Sequence, residues 1–131
     1  MFEIRVLRSR EEKVLLRKPE MEDEFFFYDQ QVLDMRTYVV VIEKDEVVGM
    51  VAVVDQSMWV PNALGVGFVE TKAEHRQRGI SKLLIEGLFE LARKDGKAIS
   101  NTPYSPHGLQ WLKPVMHKTA ERYPDVLLHE R

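Results

Sequence analysis

The sequence predicts an α/β chain, a mixed and twisted central sheet of about six strands flanked by four helices. Three observations carry that expectation. Arg36 to Ile42 and Val47 to Val54 are rich in β-branched residues, and the polar stretch Glu43-Lys44-Asp45-Glu46 between them has hairpin length. Ala63 to Thr71 is an extended apolar run that passes through a basic, glycine-containing turn into a helical repeat, Ile80 to Lys94. A further strand and helix, Lys97 to Asn101 and the segment opening at Ser105, come after it. A hairpin followed by strand, helix and strand gives a sheet with antiparallel and parallel neighbours together.

Composition bounds the function. At 131 residues the chain is expected to form one domain, 1–131, long enough for a core of its own. Hydrophobic content of 44% with 31% charged residues is that of a globular protein. A net charge of −2 and a pI near 6.1 argue against a nucleic-acid partner. With no cysteine present, disulfides, thiolate catalysis and Cys-ligated zinc are excluded together. No pair of histidines and carboxylates has metal-ligand spacing, so no metal site is expected. Met1 to Arg10 lacks the apolar centre of a signal peptide and no run reaches membrane-spanning length, so a cytoplasmic location away from membranes is expected.

The remaining elements follow in order. Phe2, Ile4 and Val6 alternate as in a strand. Ser9 followed by Glu12 reads as a capping box for a helix over about Arg10 to Lys18. Pro19 suits the first turn of a second helix whose start is acidic, Glu20 to Glu24. That segment carries Phe25-Phe26-Phe27-Tyr28, read first as core packing and otherwise as an aromatic wall for a substrate. Gln56 to Asn62 is a loop, either a lid or a plain connection. Leu64, Val66 and Phe68 alternate on one face of the next strand, with Gly65 and Gly67 on the other. Those glycines mark a bulge or the close approach of another backbone. Gly96 ends the long helix. Ser105-Pro106 caps the last one, Pro114 must kink or divide it, and Val126 to His129 is a final strand.

The turn Glu74-His75-Arg76-Gln77-Arg78-Gly79-Ile80-Ser81 holds the main functional signal. Amides of a first helical turn lack partners and lie at the positive end of the helix dipole, so they bind anionic oxygens. Arg76 and Arg78 add charge-assisted donors, and Gly79 lets a ligand approach the backbone. The alternative is a solvated basic turn at the start of an ordinary helix.

In this context Arg76-Gln77-Arg78-Gly79-Ile80-Ser81 resembles the Arg/Gln-x-x-Gly-x-Gly/Ala pyrophosphate loop of the GCN5-related N-acetyltransferases. The likeness runs over about residues 36 to 120 and extends to the order of the elements. It implies acetyl-CoA as co-substrate, acetyl transfer to an amine, and a pantetheine arm lying between two central strands that splay apart. Carried onto this chain, Val69, Glu70 and Thr71 would meet the arm, the amides of Gln77, Arg78, Gly79, Ile80 and Ser81 would hold the pyrophosphate, and Arg76 and Lys82 would flank it. Ser81 replaces the second small residue of the motif, Gly65 stands where some members carry a glutamate base, and Trp111 or Leu112 stands near the usual tyrosine acid. The resemblance also implies an abbreviated C-terminus and a possible homodimer.

An alkylammonium of pKa about 10 must lose a proton before it attacks a thioester. Glu70 is the candidate base and Tyr104 the candidate acid, with His107 able to replace either, while His75 and His117 read as surface residues. The acceptor is an amine of a small molecule, or a lysine or N-terminus of a protein. Two other functions stay open: a non-catalytic module that binds acyl-CoA or a partner on the same fold, and a nucleic-acid-binding domain using Arg76, Arg78, Lys82 and Arg93.

Overall fold

The computed structural model describes residues 1–101 and 104–130. Its six strands form one sheet in chain order: β1 (Glu3–Leu7), β2 (Thr37–Glu43), β3 (Glu46–Asp55), β4 (Ala63–Thr71), β5 (Ala98–Asn101) and β6 (Leu128–Glu130). The first four run antiparallel, and β4–β5 and β5–β6 are parallel. The four α-helices are α1 (Met21–Glu24), α2 (Ile80–Asp95), α3 (Pro106–Gln110) and α4 (Leu112–Arg122).

Both faces of the sheet are covered. On one, Val39, Val41, Val51, Leu64 and Ile99 pack against Leu84, Ile85, Leu88 and Phe89 of α2 and Met116 of α4. On the other, Tyr38, Val40, Met50 and Ala52 pack against Leu16, Met21, Phe25, Tyr28 and Leu33 from the N-terminal segments. The β2–β3 hairpin turns on two residues, Lys44 at φ 51° and Asp45 at φ 65°, a left-handed pair that matches the strand twist. Gly96 at φ 66° closes α2, with the Lys97 N–H donating to the Ala92 carbonyl at 2.8 Å.

The N-terminal helices are shorter than the sequence predicts. The capping box at Ser9 forms reciprocally, Ser9 N to Glu12 Oε1 at 2.8 Å and Glu12 N to Ser9 Oγ at 3.1 Å, yet the segment is 3₁₀ and spans only Glu12–Leu16. The second helix is one turn, Met21–Glu24, followed by a 3₁₀ segment over Gln30–Met35. The physical reason lies at Phe26 and Phe27, whose N–H groups would continue the helix but donate instead to the carboxylate of Glu70. Near the C-terminus the predicted division occurs. Trp111 leaves helical geometry at φ −121°, ψ −41° and separates α3 from α4. Pro114 then falls in the first turn of α4, where no N–H is needed.

The two strand glycines take one role each. Pairing skips from Ala52–Phe68 to Val53–Val66, so Gly67 is the extra residue of a bulge. This corrects the expected alternation: Val66 packs with the α2 face, whereas Phe68 packs with the opposite cluster. At Gly65 the neighbouring strand comes close, and a Cβ there would sit 2.7 Å from the Ser100 carbonyl oxygen.

Candidate active site

The parallel strands β4 and β5 pair only at Ala63–Ala98 and Leu64–Ile99. Beyond that point they part, and the gap opens into a cavity of about 840 Å³. β4 supplies one wall from Val66 to Thr71, Asn101 of β5 stands on the wall with it, and Tyr104, His107, Trp111 and Leu112 close the α3–α4 side. Arg76 and Ser81 mark its end at the start of α2, and Phe26 and Phe27 line its N-terminal side.

The basic turn has a backbone conformation suited to an anion. Gln77 at φ 66° and Gly79 at φ 80° are left-handed with Arg78 between them, an alternation that makes concave sets of N–H groups. The first hydrogen bond of α2 runs from Leu83 N to Gly79 O at 3.3 Å, and among the described residues the amides from Gln77 to Lys82 have no backbone acceptor. A Cβ at Gly79 would touch nothing within 4 Å, so glycine is required here by φ rather than by space.

The sequence-predicted residues divide into two groups. Val69, Glu70, Thr71, Arg76, Ser81 and Tyr104 line the cavity. Ile80 is 2% exposed and turns its side chain into the core, leaving only its amide for a ligand, and Lys82 is exposed on the first turn of α2. Arg78 points away. Its guanidinium makes a two-pronged bond to Glu43 at 2.9 and 2.8 Å, bonds His75 Nδ1 at 2.8 Å, and lies 4.9 Å from the Phe2 ring centroid. That guanidinium holds the Glu43 carboxyl below the usual range. Any contact of Arg78 with an anion at this turn would come from its backbone, and Arg76 is the loop guanidinium on the cavity wall.

Glu70 accepts from Phe26 N at 2.7 Å and from Phe27 N at 2.8 Å, one bond to each carboxylate oxygen. It acts as a clamp between β4 and the N-terminal segment. The Tyr104 hydroxyl donates to Glu130 Oε2, and Glu130 Oε1 pairs with His117 Nε2 at 2.6 Å. Burial, reinforced by Glu130, pushes the Tyr104 hydroxyl well above its ordinary value. Burial alone would raise Glu130, but Tyr104 and His117 outweigh it and hold the carboxyl low.

Sequence reasoning placed the aromatic run in the core, and half of it is there. Phe25 and Tyr28 are 0% and 4% exposed, whereas Phe26 and Phe27 are 85% and 59% exposed. Four consecutive bulky residues cannot all face one way, and that was the available signal. Asn101 and Trp111 gave none as ligand contacts. Asn101 Oδ1 and Trp111 Nε1 are buried without a hydrogen-bond partner, an acceptor and a donor on the wall of one cavity. Unpaired buried polar atoms are costly unless a ligand satisfies them. The free amides of the turn and these two atoms are what an elongated ligand with an anionic end and polar amide groups would require, so the residues fit CoA. The Gln56–Asn62 loop contributes nothing to the wall. Among the described residues no group of three or more His, Cys, Asp or Glu could hold a metal ion, and no helix is long and apolar enough to cross a membrane.

Comparison with known proteins agrees with this geometry. No curated protein matches the chain in sequence. Among solved structures, the aminoglycoside N-acetyltransferase AAC(6')-Iy with the bisubstrate analogue CoA-S-monomethyl-acetylneamine superposes with a TM-score of 0.67 at 12% identity, over 91% of this chain and 89% of that one. An N-acetyltransferase from Lactobacillus plantarum gives 0.63 at 17% identity, over 86% and 82%. The ribosomal-protein-S18-alanine N-acetyltransferase of Escherichia coli gives 0.58 at 11% identity, over 76% of this chain and 64% of its own length. At such identities these likenesses establish the fold. The acetyltransferase (GNAT) domain model matches residues 9–110, most of the chain, with β4, the basic turn and α2 inside the match. The match spans the basic turn and most of the cavity wall, and the chain belongs to the GNAT acetyltransferase family.

Proposed function

We propose that the protein transfers an acetyl group from acetyl-CoA to a primary amine. The observation that carries this reading is that the unpaired Gln77–Lys82 amides belong to the turn whose Arg76 and Ser81 line the end of the cavity. Bound acetyl-CoA supplies a thioester open to attack by an amine. The turn amides, with Arg76 beside them, hold the anionic end by hydrogen bonds and dipole. The Val69–Thr71 stretch borders the gap and offers backbone groups to the arm, while Asn101 Oδ1 and Trp111 Nε1 take up polar groups along it. Holding the two reactants in one cavity supplies much of the rate.

Proton handling differs from the simplest expectation for Glu70 and Tyr104. Glu70 has both oxygens in backbone bonds, so its part is to fix the wall, and the amine proton leaves through His107 or solvent at the open side. Tyr104 donates to Glu130 and keeps its proton firmly. A thiol ionises near pH 8.5, below a tyrosine, so the sulfur leaves as the thiolate while the single O–H of Tyr104 stays with Glu130.

Calorimetric titration of the protein with acetyl-CoA, followed by thiol release with a panel of amines, tests the reading. Saturable binding and amine-dependent thiol release are expected. Absence of binding overturns it. Binding without release on any amine, peptide or protein favours the second reading, an acyl-CoA-binding module, which the engaged states of Glu70 and Tyr104 support.

A further inference from the structure

The N-terminal side of the cavity carries information about the acceptor that the family leaves open. Phe26 and Phe27 are large, apolar, consecutive and exposed at 85% and 59%. Exposed rings on a mobile loop mean little, but these are tethered to the strand that borders the gap. Both oxygens of Glu70 bind their N–H groups, and the rings stack edge to face at 4.9 Å. The Phe27 ring lies 6.0 Å from that of Phe68, which belongs to β4 itself. The bulge at Gly67 is what brings Phe68 and Glu70 to this face, since without the extra residue both would point toward α2.

Charge is the second observation. Among the described residues Glu70 is the only carboxylate on the cavity wall, and each of its oxygens already accepts a backbone N–H. The other fixed charge on the wall is the Arg76 guanidinium. A polyamine or an amino sugar brings several ammonium groups and would meet aromatic faces, a cation and a single carboxylate that already holds two backbone N–H groups. Aromatic faces suit a flat apolar body by stacking, and a single ammonium by attraction to the ring quadrupole.

We propose that the acceptor is an arylalkylamine in chemical class, a primary amine with one positive charge on a flat apolar body, seated against Phe26, Phe27 and Phe68. This rests on the acetyl-transfer reading above and names its substrate. Glu70 is then a positioning residue that sets the aromatic wall, not the group that takes the proton.

The test compares 2-phenylethylamine with spermidine and kanamycin as acceptors at saturating acetyl-CoA, and measures CoA affinity separately by calorimetry. Turnover of 2-phenylethylamine is expected to exceed the others by about tenfold in kcat/KM. Phe27→Ala is expected to raise KM for 2-phenylethylamine several-fold, Phe27→Tyr to keep it near wild type, and both to leave CoA affinity within about twofold. Faster turnover of spermidine or kanamycin overturns the proposal. So does an unchanged KM in Phe27→Ala, or a wild-type protein that binds CoA but turns over none of the three. Failure of the wild-type protein to bind CoA overturns the acetyl-transfer reading instead, so the two failures are distinct.

Discussion

Glu70 lines the cavity and also ties β4 to the N-terminal segment. Its position where the strands part follows from the strand it ends, but both its oxygens serve Phe26 and Phe27. The substitution Glu70→Gln separates base from clamp. Gln offers one acceptor oxygen and an NH₂ that faces a donor, so the clamp loosens. Stability is expected to fall by about 1–2 kcal/mol in denaturant unfolding, with a higher acceptor KM and kcat within a few-fold. A collapse of kcat at unchanged KM would restore Glu70 as the base. Gly79 has a single requirement, its φ of 80°. Gly79→Val is expected to cost about 1–2 kcal/mol of strain and to weaken CoA binding as the turn relaxes to relieve it. Calorimetry and a melt on the same sample check both. Arg78→Ala leaves the turn amides in place and removes the tie to Glu43, so it is expected to affect CoA affinity less than Gly79→Val does. The residues themselves named the turn; the partner of Arg78, a glutamate 35 positions earlier in the chain, was beyond any local pattern.

At the scale of elements, local pattern and tertiary contact compete visibly. The hairpin and α2 stand where the sequence puts them, because each buries an apolar face long enough to define its own register, while β4 keeps its bounds but changes facing at the Gly67 bulge. The N-terminal helices shrink because Glu70 and the second core cluster offer their backbone and side chains better partners than another helical turn. The β4–β5 contact is the element-level feature on which the site depends. A Cβ at Gly65 would sit 2.4 Å from Gln56 Cγ and 2.7 Å from the Ser100 carbonyl oxygen. The side chain of Gln56 can move, but the backbone of β5 cannot do so without opening the sheet. Gly65→Ala is therefore expected to destabilise by about 1–3 kcal/mol and to widen the splay, measured as a lower denaturation midpoint and a changed CoA affinity.

For the whole molecule, charge sets the response to acid. Glu12, Asp34, Glu43, Asp55, Glu90 and Glu130 are all held below their ordinary values, by backbone amides at Glu12, by Ser57 at Asp55, and by arginine, tyrosine or histidine partners at the others. A carboxyl depressed in the folded state binds fewer protons than in the unfolded chain, so each adds stability above its unfolded pKa of about 4 and loses it as pH falls through the folded value. The melting temperature is expected to change little from pH 7 to 5 and to fall steeply below about pH 4. An acid limb that begins near pH 6 would point to buried histidine instead. The sequence by itself determined the α/β class, the strand-turn-helix unit and the left-handed glycine of its basic turn, because hydrophobic period and glycine placement act over a few neighbouring residues. Tertiary structure alone decided that Glu70 clamps, that Arg78 turns to Glu43, that Gly67 reverses the facing of Phe68, and that Asn101 Oδ1 and Trp111 Nε1 have no hydrogen-bond partner. Each of those depends on a partner distant in the chain, and only the folded sheet brings such partners within reach.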